Sequence, residues 1–199
     1  MDIQKTMQNL EKNGIKPYFV ENKDEVVPLV KTLINNGESV SCGGSVTLDE
    51  TGVKALMQNG DYDFIDRTGL QGEKLRQSYI KTFGCDTFFT SSNAVTENGE
   101  LYNVDGNSNR VACIVYGPRQ VIMIVGVNKI VKDIDEAIYL GERIVVMSAR
   151  PGEIQEIITT DKYSRMNRGS SGFAAYKKKI YSHFFQDSAE FLEEAEYMI

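Results

Sequence analysis

Six side chains suited to binding or transforming an anion fall within 18 residues: Asn93, Glu97, Asn103, Asp105, Asn109 and Arg110. A carboxylate such as Glu97 or Asp105 can serve as nucleophile or general base, and the asparagine amides offer paired donors and acceptors. The Arg110 guanidinium can clamp a carboxylate or phosphate through two parallel hydrogen bonds. Because Arg110 is expected to open a helix, the first helical amides would add to its pull on an anion, with Glu97 nearby as base or nucleophile. Two further places could contribute. Gly43-Gly44-Ser45 would allow close backbone approach to a ligand, and Lys129 follows the apolar run VIMIVGV. A purely structural reading of the same residues also exists. Asn98-Gly99 and Asp105-Gly106 are turn signatures, and Asn107 to Asn109 are suited to capping a helix.

Such residues need elements to position them, and the chain alternates. Ile3, Met7 and Leu10 repeat at helical spacing, and PYFV from Pro17 has the character of a short strand. A helix follows from Lys23 or Asp24, with Gly37 beyond its end. ESVSC is a strand, a helix runs through Thr51 to Met57, and YDFID is a strand. GEKLRQSYIKTF is a helix, and TFFT and QVIMIVG are strands. Strands separated by helices of this length imply an α/β fold, a mostly parallel sheet flanked by helices. In such sheets ligands lie beyond the carboxyl ends of the strands, so GGS and the 93–110 loop are expected to converge there.

Composition narrows the partners. The chain has 199 residues, 41% apolar content and a formal charge of -6. An acidic chain is poorly suited to neutralising a phosphate backbone, so no nucleic-acid partner is expected. No apolar run approaches the ~20 residues of a membrane-spanning helix, and no signal-peptide apolar region is evident. Cys42, Cys85 and Cys113 follow no ligand spacing, and His183 is the sole histidine. Neither a disulfide framework nor a metal site is expected, and the location is expected to be cytoplasmic. Neither G-x-G-x-x-G nor G-x-x-x-x-G-K-[ST] occurs. No dinucleotide or iron-sulfur cofactor is therefore expected.

The strings SCGGSVTLDETG and TSSNAVTENGELYNVDGNSNRVACIVYGPRQVIMIVGVNKIVKDIDEAI closely resemble the lactate-utilisation (LUD) domain proteins of the LutC/YkgG-like kind, over roughly residues 1–138. The resemblance implies a fold like that of NagB, ribose-5-phosphate isomerase and the CoA transferases. It also implies a part in oxidising lactate to pyruvate, as an accessory or ligand-binding subunit beside iron-sulfur lactate-oxidation subunits. A small anionic metabolite would be the ligand, held by Gly43, Gly44, Ser45, Asn93, Asn103, Asn109, Arg110 and Lys129. Glu97-Asn98-Gly99 is similar to the CoA-transferase segment whose glutamate is the nucleophile. An enzyme of transferase or isomerase type using Glu97 or Asp105 is thus the alternative, and a homo-oligomer is left open.

The end of the chain resembles something else. DIDEAIYLGERIVVMSARPGEIQEIITTD and FAAYKKKIYSHFF are similar to the C-terminal part of ATP-binding subunits of nitrate, sulfonate and taurine ABC importers. Lys132 stands where those subunits carry the switch histidine, and Walker A, signature and Walker B strings are missing. Residues 139–199 are accordingly expected to form a short α+β appendage without nucleotide chemistry: a helix over 133–141, strands RIVVMS and EIQEIIT around a turn at Pro151-Gly152, and a helix with Phe173, Tyr176, Ile180 and Phe184 on one face. Since both families share a DIDEA-like string, the chain looks joined there. A fusion product with no activity of its own is the third possibility.

Overall fold

The computed structural model describes residues 2–105, 107–133, 143–147, 154–161 and 170–184. The chain divides into two compact units, Met1–Ala137 and Ile138–Ile199.

The first unit is built on a four-stranded parallel sheet of order β2-β1-β3-β6, formed by β1 (Ser39–Cys42), β2 (Asp63–Phe64), β3 (Thr87–Thr90) and β6 (Gln120–Met123). Alternate side chains of these strands point to opposite faces. Val40, Cys42 and Phe89 pack with Val26 and Val30 of α2 (Val26–Lys31), Leu48 of α3 (Val46–Glu50) and Val53, Leu56 and Met57 of α4 (Val53–Met57). On the other face Phe88 packs with Cys85 and with Cys113 of α6 (Asn109–Val115). There the Ser41 hydroxyl bonds Thr82 of α5 (Gly72–Phe83) at 2.9 Å. Phe88 and Phe89 are fully buried, each contributing about 1.5–3 kcal/mol of apolar transfer free energy. The expected parallel sheet between helices is what the chain forms.

A second sheet, of order β5-β4-β7, stands on the loop after β3. In it β4 (Ala94–Thr96) pairs antiparallel with β5 (Leu101–Tyr102) and parallel with β7 (Ile130–Val131). The β4–β5 turn rests on α1 (Ile3–Lys12). A Cβ at Gly99, whose φ is +83°, would lie 2.6 Å from the Asn9 carbonyl carbon. Asn9 and Asn13 donate side-chain amides to the carbonyls of Glu97, Asn98 and Gly99.

Three local expectations change. PYFV is not a strand: Tyr18 and Phe19 are about half exposed and the segment is irregular. Pro17 lacks an N–H, and neither side chain has a face to bury. The helix expected through Thr51 to Met57 is broken into α3 and α4 at Gly52, whose φ is +76°. Only Asp63–Phe64 of YDFID pairs, as a short edge strand.

In the second unit, β8 (Arg143–Met147) and β9 (Ile154–Thr159) pair antiparallel, and α7 spans Ser171–Phe184. Phe173 and Ile180 are buried and Tyr176 partly so, while Lys179 pairs with Glu156 of β9. The helix expected over 133–141 (beyond Asp133), the Pro151-Gly152 turn, Gly106 and the side chains of His183 and Phe184 lie outside the described residues.

Candidate functional site

In a parallel sheet the strands all end at one edge, and the register here makes β1, β3 and β6 end together. Cys42 lies beside Phe89 and Thr90 beside Met123. Three loops therefore leave side by side: Gly43-Gly44-Ser45, Ser91-Ser92-Asn93, and the segment from Ile124 to a 3-10 turn at Val127–Lys129. Gly43 N donates to Phe89 O at 2.9 Å, and Ile124 N to Thr90 O at 2.9 Å.

Lys129 ties the three together. Its Nζ donates to Ser91 Oγ at 2.7 Å and reaches Thr47 Oγ1, at the start of α3, at 3.4 Å. Both partners are neutral, and no carboxylate lies within ion-pair distance of Lys129 among the described residues. Burial, and then the charge of Arg110, push the Lys129 ammonium below its ordinary pKa, against a weaker opposing pull from Glu50.

Arg110 is the second cation. Its Nη1 donates to Ser91 O at 2.8 Å and Asn103 Oδ1 at 3.0 Å, and its Nη2 to Asn93 Oδ1 at 2.7 Å and Val104 O at 2.8 Å. Four of the five guanidinium donors are thus taken by neutral oxygens, leaving Nε–H. Burial lowers the guanidinium pKa, partly opposed by Asp105. The arginine stem lies on Gly43, where a Cβ would sit 3.1 Å from Arg110 Cδ and 3.1 Å from Thr90 Oγ1.

The helix amides expected to face a ligand are occupied. Asp105 Oδ2 accepts from Arg110 N at 2.7 Å and Val111 N at 3.1 Å, so this carboxylate caps α6. It also supplies the negative charge that offsets an arginine at a helix start. Ser108, at φ 60°, makes no side-chain cap, so the cap comes from Asp105 rather than Asn107 to Asn109.

The edge brings together Gly43, Asn93, Asn103, Asp105, Arg110 and Lys129. Gly44 beside them is exposed, with open space where a Cβ would be. Ser45 Oγ is buried with no hydrogen-bond partner among the described residues. Asn109 lines a different concavity, a cleft of about 460 Å³ between α5 and α6 with Arg67, Phe83 and Phe88. Glu97 is also apart. It lies four residues from Asn93 along β4, roughly 13 Å at strand rise. Its carboxylate accepts from Asp2 N at 3.0 Å and Lys5 Nζ at 3.4 Å. Partial desolvation raises the Glu97 carboxyl, but the N-terminal ammonium, then Asp2 N and Lys5, bring it below the ordinary range. Ser91 and Thr47 were not singled out as ligand groups in the sequence, although TSS directly after an apolar strand was a usable signal. Among the described residues no group of three or more metal-ligating side chains converges. No helix among them is long and apolar enough to cross a membrane.

A family model, the LUD domain, matches residues 3–181. The chain belongs to the LUD-domain family. The family match extends past residue 138, to residue 181. Curated relatives match over much shorter stretches. The chain is 49% identical over 47 residues to an uncharacterized ABC transporter ATP-binding protein of Methanocaldococcus jannaschii, covering 24% of this chain and 18% of that protein. It is 46% identical over 52 residues to the aliphatic sulfonates import ATP-binding protein SsuB of Bacillus anthracis, covering 26% and 21%. A putative ATP-binding protein of Brucella melitensis is 44% identical over 55 residues, covering 26% and 23%. The chain thus spans about a fifth of the length of these relatives.

Proposed function

We propose that this LUD-domain protein is an accessory or ligand-binding subunit in the oxidation of lactate to pyruvate, and that it holds a small carboxylate or phosphate compound at the edge occupied by Lys129. Residues 1–138 carry this site, and residues 139–199 carry no nucleotide chemistry. One observation supports the ligand reading above the rest. Lys129 and the Arg110 guanidinium both bond Ser91 at the carboxyl edge of a parallel sheet, and among the described residues neither forms an ion pair with a carboxylate, Asp105 and Glu50 acting only through their longer-range charge. Two like charges, partly desolvated, are stabilised by an anion between or beside them. The exposed Gly44 leaves the approach open, and the orphaned Ser45 hydroxyl offers a further donor. The alternative of acyl transfer by Glu97 has weaker support, because its carboxylate is engaged by α1 at the far end of β4.

Lys129→Gln is the informative variant, since the amide keeps a donor for Ser91 while removing the charge. In a thermal-shift series with inorganic phosphate and 2-hydroxy and 2-oxo acids, at least one anion should stabilise the parent. At 100 times its Kd a ligand adds about 2.7 kcal/mol. For a domain of this size that raises Tm by roughly 5–10 °C. The variant should unfold normally and lose the response. If no anion stabilises the parent, or if the variant responds equally, the reading fails.

A further inference from the structure

Partial withdrawal from water and a neighbouring cation do two things to a lysine: they strengthen its hold on an anion, and they favour its neutral, nucleophilic amine. Lys129 is subject to both. Its Nζ is held between two neutral hydroxyls, Ser91 Oγ at 2.7 Å and Thr47 Oγ1 at 3.4 Å. The Arg110 guanidinium is its charged neighbour, and the opposing influence of Glu50 is the smaller of the two. The guanidinium cannot turn away, because four oxygens of Ser91, Asn93, Asn103 and Val104 hold it. Desolvation and a fixed cation are the two means by which a lysine amine is made nucleophilic toward carbonyl compounds. Ser91 carries the Lys129 amine on its hydroxyl and the Arg110 guanidinium on its carbonyl, so amine and cation are fixed relative to one another through one residue.

We propose that Lys129 is a covalent capture residue that forms an imine with a 2-oxo acid, whose carboxylate is favoured by the charge of Arg110. This rests on the anion-site reading above and specifies its ligand class: a carbonyl carbon adjacent to a carboxylate. The neutral amine attacks the keto carbon, a C–N bond forms, and the carbonyl oxygen takes up a proton to give a carbinolamine. Loss of that hydroxyl as water, with the nitrogen proton, leaves C=N. One amine and one ketone give one imine and one water, with no change of oxidation state and no further reactant. Ser91 Oγ, already hydrogen-bonded to Nζ, is placed to pass the proton. Thr47 Oγ1 is the second hydroxyl within reach. The reaction that supplies such a ligand is the oxidation of a 2-hydroxy acid.

The test uses the full chain with pyruvate as probe and sodium cyanoborohydride as trap, read by intact mass and peptide mapping. The expected result is a single reduced adduct on Lys129. It should be absent when lactate replaces pyruvate and lost in Lys129→Gln. Exposed lysines such as Lys31 and Lys74 serve as the internal reference for non-selective labelling. Stabilisation by pyruvate without an adduct on Lys129, or with labelling no faster there than at the exposed lysines, overturns the imine and leaves the anion site standing. If neither pyruvate nor phosphate shifts Tm and no Lys129 adduct forms, both readings fall. Selective trapping in a parent that phosphate does not stabilise supports the imine alone.

Discussion

At the level of single residues, the same side chain can be ligand group or scaffold, and hydrogen-bond accounting separates the two. Arg110 looked from the sequence like a clamp free to grip an anion. With four neutral oxygens on its guanidinium it is largely a staple, joining the loop after β3 to the loop before α6. Arg110→Ala should therefore destabilise by more than a surface change, about 2–4 kcal/mol, since it strands several part-buried acceptors. Urea unfolding would show this as a lowered midpoint, and an unchanged midpoint would contradict the staple. Asp105→Ala removes the acceptor of two helix amides and should cost about 1 kcal/mol, up to about 2, by the same measurement. Lys129 has the opposite sign. Because its folded pKa lies below the unfolded value, its charge opposes folding at neutral pH, and the opposition fades as pH rises through the folded value. Anion binding at this lysine needs the ammonium, so phosphate stabilisation should weaken on raising pH from about 8, where phosphate is already a dianion, toward about 10. A phosphate response that grows over that range would exclude Lys129 as its source.

Between elements, what was legible followed periodicity, and what was not depended on tertiary neighbours. GEKLRQSYIKTF coincides with α5 because its end signals are local: Gly84 follows the last turn, and nothing within it breaks a helix. Its buried face was less readable. Ser78 and Thr82 face inward while Ile80 and Phe83 are exposed, because β1 presents Ser41 there and hydroxyl meets hydroxyl. The Asn98-Gly99 turn was readable, but its docking on α1 was not, since that contact joins residues nearly ninety positions apart. The turn's glycine should accordingly be intolerant: Gly99→Ala places a methyl 2.6 Å from the α1 backbone at positive φ. We expect a loss of about 1–3 kcal/mol, read as a lowered denaturation midpoint. The anion response of the folded protein should be unchanged, because this turn stands at the far end of β4 from Lys129. Likewise, convergence of GGS with the 93–110 loop followed from parallel topology alone. That Asp105 rather than a ligand fills the α6 amides depends on how the 93–110 loop folds back onto the helix, which no local sequence signal encodes.

For the whole molecule, the importer-like similarity is confined to a short stretch of the chain. The family match reaches residue 181, whereas the curated ATP-binding relatives share only 47 to 55 residues with the chain. A nucleotide site of that type needs a glycine-rich loop whose amides cradle the phosphates and a lysine that reaches them. No G-x-x-x-x-G-K-[ST] string exists here, so similarity in the remaining part supplies no phosphate cradle of that kind. Mg-ATP turnover should then be at background. Thermal stabilisation by ATP needs a control, because its phosphates are anions and the Lys129 edge is cationic. Whatever small shift ATP gives the parent should match that of tripolyphosphate and vanish in Lys129→Gln. A saturable ATP shift that survives in Lys129→Gln, and that tripolyphosphate does not reproduce, would locate a nucleotide site elsewhere in the chain. The reading of residues 139–199 as structure without nucleotide chemistry would then be wrong.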